Sequence, residues 1–279
     1  MKIVRWDHLH SHESISLFDH FWSKKKGSAL TIGGFDGPHR GHEELFHSVL
    51  DASSKMSLAS GVVTFSSSPG RLKHPSTYPG DVSTLNLRLQ RLESLGFDFV
   101  ILIDFSPEFG KMTGGDFLDI LVNTVRMKYL AVGPDFRCGH RLDTGVSEIE
   151  ALSHINGFRF DSIKRIELNG MRISSSAIRT AVLDADFTLA KTLLGHPFLL
   201  DLNEVIWASG ESGPVASRAA ITQILPRWGV YTVMIHTRSG AFVPADLKIE
   251  GDTLCLIPKD RAADSPISGV MTAEFQVLR

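Results

Sequence analysis

A glycine-rich segment that holds two histidines is the stretch of this chain best suited to chemistry. It reads TIGGFDGPHRGH over residues 31–42, and His39 and His42 lie three positions apart. The segment follows an apolar run and precedes a predicted helix, whose free N–H groups would attract anions. Its glycines would let the backbone come close to a ligand. Two imidazoles at such a helix start suit a polyphosphate, whose charge shifts during group transfer. The alternative is a glycine-rich turn with two solvated histidines.

The same segment does not favour a metal site or a P-loop. No cysteine, and no further histidine at the usual ligand spacing, completes a metal-binding set around His39 and His42. The G-K-[ST] ending of a P-loop is absent as well. We therefore predict no metal site built from protein side chains here.

A second segment, RISSSAIR over residues 172–179, combines three hydroxyl groups with two arginines. The serines follow a predicted strand and open a predicted helix, so one alternative is that they only cap that helix. Capping does not explain Arg172 and Arg179, which lie seven positions apart. Guanidinium groups with nearby hydroxyls and backbone N–H groups could hold phosphate oxygens.

Two further segments also follow predicted strands. The stretch VGPDFRCGHR covers residues 132–141, and FSSSPGR covers residues 65–71. Ligands of open α/β sheets bind outside the carboxyl ends of the strands. That shared location predicts that these segments form one site with the two described above.

The elements that must position these residues alternate between strands and helices up to about residue 195. Apolar runs predict strands over residues 28–33, 61–66, 98–104 and 129–133. Apolar stripes at helical spacing predict helices over residues 84–95, 116–126, 146–155, 175–183 and 186–194. Thr113, with Asp116 three residues later, predicts the start of the second of these helices. Such alternation is typical of a parallel sheet that is covered on both faces.

Beyond Gly195 the pattern changes to short strands without long helices. The strand-like runs cover residues 202–207, 229–236, 241–249, 253–258 and 270–278. Turn signals separate them, which is typical of a small barrel or sandwich. We therefore predict two domains, at residues 1–195 and 196–279.

Composition narrows the classes of function. The 279 residues include 29 Lys and Arg against 31 Asp and Glu, a formal charge of −2, which argues against a nucleic-acid-binding surface. The two cysteines, Cys138 and Cys255, cannot make a disulfide framework. The longest apolar runs are too short to span a bilayer, and the charged start is unlike a signal peptide. We expect no membrane partner and a cytoplasmic location.

Together the motifs TIGGFDGPHRGH, VGPDFRCGHR and RISSSAIR, in that order, resemble the bacterial FAD synthetase family. Its members are often bifunctional riboflavin kinase/FMN adenylyltransferases. The likeness covers about residues 28–198. It implies an α/β fold: a Rossmann-like nucleotidylyltransferase domain with a parallel sheet, followed by a small β-barrel domain resembling riboflavin kinase. It also implies the transfer of AMP from ATP to FMN, which gives FAD and pyrophosphate with Mg²⁺ as the cofactor.

The resemblance further implies roles for individual residues. His39 and His42 would contact the ATP phosphates. A group of four would hold the β- and γ-phosphates and the leaving pyrophosphate: Arg172, Ser175, Ser176 and Arg179. The remaining residues would bind the nucleotide or the flavin, with Phe65 against the isoalloxazine: Gly33, Gly34, Phe35, Asp36, Gly37, Phe65, Asp135, Phe136, Arg137 and Ser174. The substrate phosphates, rather than the protein, would hold most of the Mg²⁺.

The sequence departs from the family pattern in both halves. Gly34 stands where the family usually has Asn, and Ser176 replaces the usual Thr. The stretch that corresponds to the kinase motif G-F-P-T-A-N reads GPVASRAA over residues 213–220, and no Thr-Ala-Asn follows residue 196. We therefore predict FMN adenylylation without riboflavin phosphorylation. The alternatives are a bifunctional enzyme, transfer to another phosphate acceptor, and a nucleotide- or flavin-binding regulator without catalysis.

Overall fold

The computed structural model describes residues 1–9, 11–68, 70–71, 76–168, 170–259 and 269–277. The helices are α1 (His12–Trp22), α2 (Glu43–Met56), α3 (Leu85–Ser94), α4 (Gly114–Thr124), α5 (Val146–Asn156), α6 (Ser175–Leu183) and α7 (Phe187–Leu194). The strands are β1 (Lys2–Arg5), β2 (Ser28–Ile32), β3 (Ala59–Phe65), β4 (Phe99–Ile103), β5 (Met127–Val132), β6 (Arg137–Cys138), β7 (Thr144–Gly145), β8 (Arg159–Ser162), β9 (Glu167–Leu168), β10 (Met171–Arg172), β11 (Leu199–Asp201), β12 (Val215–Ser217), β13 (Gly229–Thr237), β14 (Phe242–Glu250), β15 (Thr253–Pro258) and β16 (Val270–Phe275).

The chain divides into two compact units that do not follow chain order. Over the described residues, the first unit comprises Met1–Phe35, Gly41–Pro75 and Leu89–Glu167. The second comprises Asp36–Arg40, Ser76–Arg88 and Leu168–Arg279. The predicted domain boundary between residues 195 and 196 stays a prediction. The two compact units are defined by contacts within the fold, and they do not identify the residues that carry each activity.

A parallel six-stranded sheet forms the centre of the first unit, in the order β1-β4-β3-β2-β5-β8. All five pairings of neighbouring strands are parallel. The strands β2 and β4 are buried along their whole length. Their side chains, such as Leu30 and Phe99, contribute to one hydrophobic core. The four predicted strands and the α/β fold class are thus confirmed.

The sequence patterns do not predict the two edge strands of this sheet, β1 and β8. In β1 only Val4 is buried, and β8 contains no buried residue. An edge strand faces solvent on one side and needs no apolar run, so its sequence carries little signal. The helix α1 was missed as well, although Ser11 caps it by accepting a hydrogen bond from Ser14 N.

The five predicted helices are all present, with ends within about two residues of their expected places. The start signal at Thr113 is confirmed, because its hydroxyl accepts a hydrogen bond from Asp116 N. The helix expected after the glycine-rich segment is α2, which packs against β2, β3 and β5. In the second unit, α6 packs against α7.

The second unit contains a six-stranded antiparallel sheet in the order β11-β16-β13-β14-β15-β12. Buried and partly exposed side chains alternate along β14, as expected for strands with one face in a core. The strands predicted at 229–236, 241–249 and 253–258 are confirmed, and β16 ends at Phe275. We refer to β11–β16 as the barrel.

The strand predicted over residues 202–207 is wrong. The chain turns there instead, with Val205 N donating to Leu202 O at 3.2 Å. The strand lies just before it, at Leu199–Asp201, where it pairs with β16. Residue 278, the end of the last predicted strand, lies outside the described residues. No helix in the described part of the chain has the length and apolar character that a membrane span requires.

Candidate active site

A cavity of about 360 Å³ opens at the carboxyl ends of the parallel strands in the first unit. It begins where β2, β3 and β5 end, as the strand-end rule predicts. Six of the residues singled out from the sequence line it: Gly33, Gly34, Phe65, Asp135, Phe136 and Arg137. We call this space the aromatic cavity. The structure therefore brings the segments that follow these three strands to one place. In the segment over residues 65–71, Pro69 lies outside the described residues.

Aromatic rings from a fourth segment complete this cavity. Phe105 follows β4, and its ring centroid lies 6.1 Å from that of Phe65 and 5.6 Å from that of Phe109. Met112 lines the same cavity. A sequence signal for Phe105 is available, because this residue comes directly after the strand predicted over residues 98–104. Such an aromatic-lined concave site suits a flat, largely apolar ring system.

Two charged side chains that line the aromatic cavity, those of Asp135 and Arg137, contact neighbouring residues. Asp135 pairs with Arg165. Arg137 donates from Nε to Leu142 O at 2.9 Å. Burial raises the pKa of the Cys138 thiol to about 12, and the nearby Asp143 adds to that rise. The thiol is therefore protonated at neutral pH and unsuited to act as a nucleophile.

His42 lies at the start of α2, between two aromatic rings of the first unit. Its ring centroid lies 5.1 Å from that of Phe35, with the rings nearly perpendicular, and 5.8 Å from that of Phe46. Phe35 is buried, with a backbone φ of 44°. These contacts fix the plane of the imidazole without a side-chain hydrogen bond to cap the helix.

In the second unit, Asp36 anchors the turn that follows Phe35. Its carboxylate accepts hydrogen bonds from Val82 N at 2.9 Å and Ser83 N at 3.2 Å, and it pairs with Arg179. Its carbonyl oxygen accepts a hydrogen bond from Ser175 Oγ at 2.8 Å. Burial raises the pKa of the Asp36 carboxyl, and the Arg179 guanidinium opposes that rise. Three of the predicted site residues are thus in contact, because Ser175 and Arg179 both bind Asp36.

The glycine at position 37 is required by this turn. Gly37 has a φ of +63°, and a Cβ there would lie 2.4 Å from Val82 Cγ1. Its N–H donates to Ser83 Oγ at 3.0 Å. Any larger residue would have to displace the contact between the turn and the 82–83 backbone.

The other residues of the RISSSAIR segment have different surroundings. Ser174 caps α6, because its side chain accepts a hydrogen bond from Ala177 N, so the capping alternative holds for this residue. Arg172 and Ser176 are exposed. Arg179 is only 15% exposed and also donates to Gly80 O and Tyr78 Oη.

His39 is buried in the second unit, with only 6% of its surface exposed. Burial lowers the pKa of its imidazole to about 4. His39 is therefore neutral at neutral pH. A neutral imidazole offers one donor and one acceptor to a ligand rather than a positive charge.

This buried histidine predicts a pH-dependent stability. Its pKa is 6.5 when unfolded and about 4 when folded, so only the unfolded chain takes up the proton between these values. The free energy of unfolding should therefore fall as the pH falls from 6.5 to about 4, by up to about 1.4 kcal/mol per pH unit. Urea unfolding across that range measures it. His39→Gln, which cannot titrate, should lose less stability; parallel losses in both proteins would contradict the prediction.

The chain is similar to one protein family and to several named proteins. Residues 22–177 match the family described as FAD synthetase. The chain is 34% identical over 217 residues to the bifunctional riboflavin kinase/FMN adenylyltransferase of Escherichia coli (strain K12), which covers 76% of this chain and 69% of the relative. It is 31% identical over 220 residues to the protein of the same name from Haemophilus influenzae, covering 77% and 71%.

A solved structure shows the same fold. The crystal structure titled as a macrolide-efflux protein from Streptococcus pneumoniae superposes with a TM-score of 0.75, covering 89% of this chain and 84% of that one at 24% identity. At this identity the likeness concerns the fold alone, and it confirms the predicted fold class. The family resemblance read from the three motifs is confirmed by the matches to the family and its relatives. The chain therefore belongs to the FAD synthetase family and is a nucleotidyltransferase.

Proposed function

We propose that this protein transfers AMP from ATP to FMN, giving FAD and pyrophosphate, and does not phosphorylate riboflavin. The observation that carries the first half is the aromatic cavity in a chain of the FAD synthetase family. Its 360 Å³ falls within the range of small-molecule sites, and its rings suit the flat isoalloxazine. We assign Phe65, Asp135 and Phe136 to the flavin side.

The reaction needs positioning more than acid–base chemistry. An oxygen of the FMN phosphate forms a bond to the α-phosphorus of ATP, and the bond from that phosphorus to the bridging oxygen breaks, releasing pyrophosphate. The attacking phosphate is already ionised, so no strong base is required. The protein's contribution is then alignment and stabilisation of the charge on the phosphates.

We assign these phosphate contacts to side chains of two segments: the glycine-rich segment over residues 31–42, which holds the histidines, and the RISSSAIR segment over residues 172–179. His39 is buried and neutral, so it would contribute a hydrogen bond, while the exposed Arg172 would contribute positive charge. His42, Ser175 and Ser176 complete the proposed set, together with Arg179. The family motif supports this assignment, and the exposed positions of Arg172 and Ser176 leave them accessible to a ligand.

Among the described residues, no group of three or more His, Cys, Asp or Glu could hold a metal ion. Mg²⁺ prefers oxygen ligands and is often bound through substrate phosphates. We propose that Mg²⁺ accompanies ATP in this way, where it would help to neutralise the phosphate charge.

The proposed loss of kinase activity rests on the barrel sequence. The strand β12, Val215–Ser217, remains paired with β15 in the sheet. The sequence around it, residues 213–220, lacks the Thr and Asn that serve ATP and Mg²⁺ in the family motif. The named relatives are bifunctional, so this protein would differ from them in one of the two activities.

Two assays on the full chain test both halves. With FMN, ATP and Mg²⁺ we expect FAD and pyrophosphate in equal amounts; with riboflavin, ATP and Mg²⁺ we expect no FMN. The Escherichia coli relative is the matched control, because its name predicts product in both assays. Clear FMN formation from riboflavin would support the bifunctional alternative. Binding of FMN without pyrophosphate release would support a regulator instead.

A further inference from the structure

A buried glutamine links the barrel to the chain segment over residues 76–88. Gln223 is only 4% exposed. Its amide nitrogen donates to Val82 O and to Leu199 O, each at 2.9 Å, and its amide oxygen accepts from Asp201 N at 2.7 Å. Leu199 and Asp201 are the ends of β11, so one side chain bridges a barrel strand and the 76–88 segment.

The backbone around Gln223 forms a second part of this link. Asp81 N donates to Thr222 O at 3.1 Å, and Ile224 N donates to Asp81 O at 2.8 Å. Gly80 permits the close approach, because it has a φ of +122° and a Cβ there would lie 2.6 Å from Ile224 N. A further hydrogen bond joins this segment to β11, because Thr84 Oγ1 donates to the Asp201 carboxylate.

The same short stretch contacts the turn that carries His39. Val82 accepts from Gln223 through its carbonyl oxygen and donates to Asp36 through its N–H. Ser83 donates its N–H to Asp36 and accepts from Gly37 N through its hydroxyl. Gln223 is therefore two hydrogen bonds away from Asp36, and all of these residues belong to the second unit.

We propose that the barrel acts as a support for adenylyl transfer, with Gln223 as a positioning residue that fixes the 36–40 turn through Val82 and Ser83. This inference rests on the proposed function of that turn. It gives the barrel a task that needs no kinase motif. A side-chain amide suits this positioning role. Its NH₂ group can donate to two carbonyl groups while its oxygen accepts from a backbone N–H.

The expected kinetic signature separates positioning from general stability. A displaced turn would misplace His39 and lower kcat for FAD formation, since small errors in alignment are costly. The aromatic cavity is lined by residues of the first unit, so the KM for FMN should not change. A general loss of folded protein would lower the apparent activity without this selective effect on kcat per folded molecule.

The test compares three variants of the full chain with the wild type. Gln223→Leu removes the three hydrogen bonds at similar volume. Thr84→Val leaves Gln223 intact and removes the bond to Asp201, together with the hydrogen bond that the Thr84 hydroxyl accepts from Leu87 N at 3.3 Å, and it is the milder variant. Gln276→Leu is the matched control, because this partly exposed glutamine directly follows β16 and donates to Glu274 at 3.3 Å. Kinetics of FAD formation and hydrogen–deuterium exchange by mass spectrometry are measured on each.

For Gln223→Leu we expect kcat to fall about tenfold, with the KM for FMN within about twofold of wild type. Exchange should speed up in residues 36–40 and 80–84, while β13 and β14 stay protected. Thr84→Val should show the same pattern to a smaller extent, and Gln276→Leu should match the wild type.

The proposal is overturned if folded Gln223→Leu keeps its kcat and its exchange in residues 36–40. If that variant does not fold, Thr84→Val decides by the same criteria. Should the wild type make no FAD from FMN and ATP, the proposed function fails, whereas the exchange data still decide whether Gln223 fixes the turn.

Discussion

Replacing His42 with alanine is expected to lower the rate of FAD formation ~10²–10³-fold, the usual effect of losing one preorganised contact to charge that develops in a transition state. The rings of Phe35 and Phe46 hold the imidazole in a fixed plane, so wild-type His42 incurs little reorganisation when ATP binds. Initial rates of pyrophosphate release at saturating ATP and FMN measure the effect.

The His42→Ala protein should remain folded. The side chain is half-buried and makes no capping hydrogen bond to α2, so its removal does not uncap that helix. His47→Ala is the control, because His47 is an exposed histidine on the same helix. Its rate should equal that of the wild type. A His42→Ala rate within about threefold of wild type would remove this histidine from the mechanism.

Arg179→Met is expected to lower the free energy of unfolding by about 3–5 kcal/mol, because it leaves the Asp36 carboxylate buried without its partner. The side chains of Asp36 and Arg179 are only 11% and 15% exposed, so solvent screens the pair little. The guanidinium also holds Gly80 O and Tyr78 Oη, which would lose their donors. Urea unfolding followed by circular dichroism measures the loss.

A double-mutant cycle assigns this loss to the pair. Asp36→Asn removes the charge, so Asp36→Asn combined with Arg179→Met should be less destabilised than the sum of the two single variants. Lys248→Met serves as the control, because Lys248 pairs with Glu250 at the surface of the barrel and exposed pairs contribute little. If Arg179→Met is no less stable than Lys248→Met, the buried pair is not a determinant of stability.

Sequence reasoning recovered the buried parts of the fold and missed the exposed ones. The strands β2 to β5 are predicted because each contains a short apolar run, and each is buried along almost its whole length. The edge strands lack that signal. The error at residues 202–207 has a different cause: LNEVIW has the composition of a strand, but the chain turns after Leu202, and tertiary context decides such short segments.

The candidate site was predictable where one rule applied and unpredictable where partners are distant in sequence. The strand-end rule found the residues around the aromatic cavity, and it could have found Phe105. It gave no sign that Arg179 pairs with Asp36, 143 positions away. Gln223 lies in no motif, and its importance depends on backbone groups at Val82, Leu199 and Asp201 that no sequence pattern identifies.

The discontinuous makeup of the second unit has a consequence for how such a gene can change. A gene with a premature stop codon after residue 195 would encode the 36–40 and 76–88 segments, but not the barrel residues that contact the 76–88 segment. A kinase motif can be erased by point substitutions that leave Gln223 in place, whereas deletion of the barrel removes its bonds to Val82. Under the proposed function, substitution within the motif would remove the kinase activity and keep the barrel, whereas truncation of the gene would remove both.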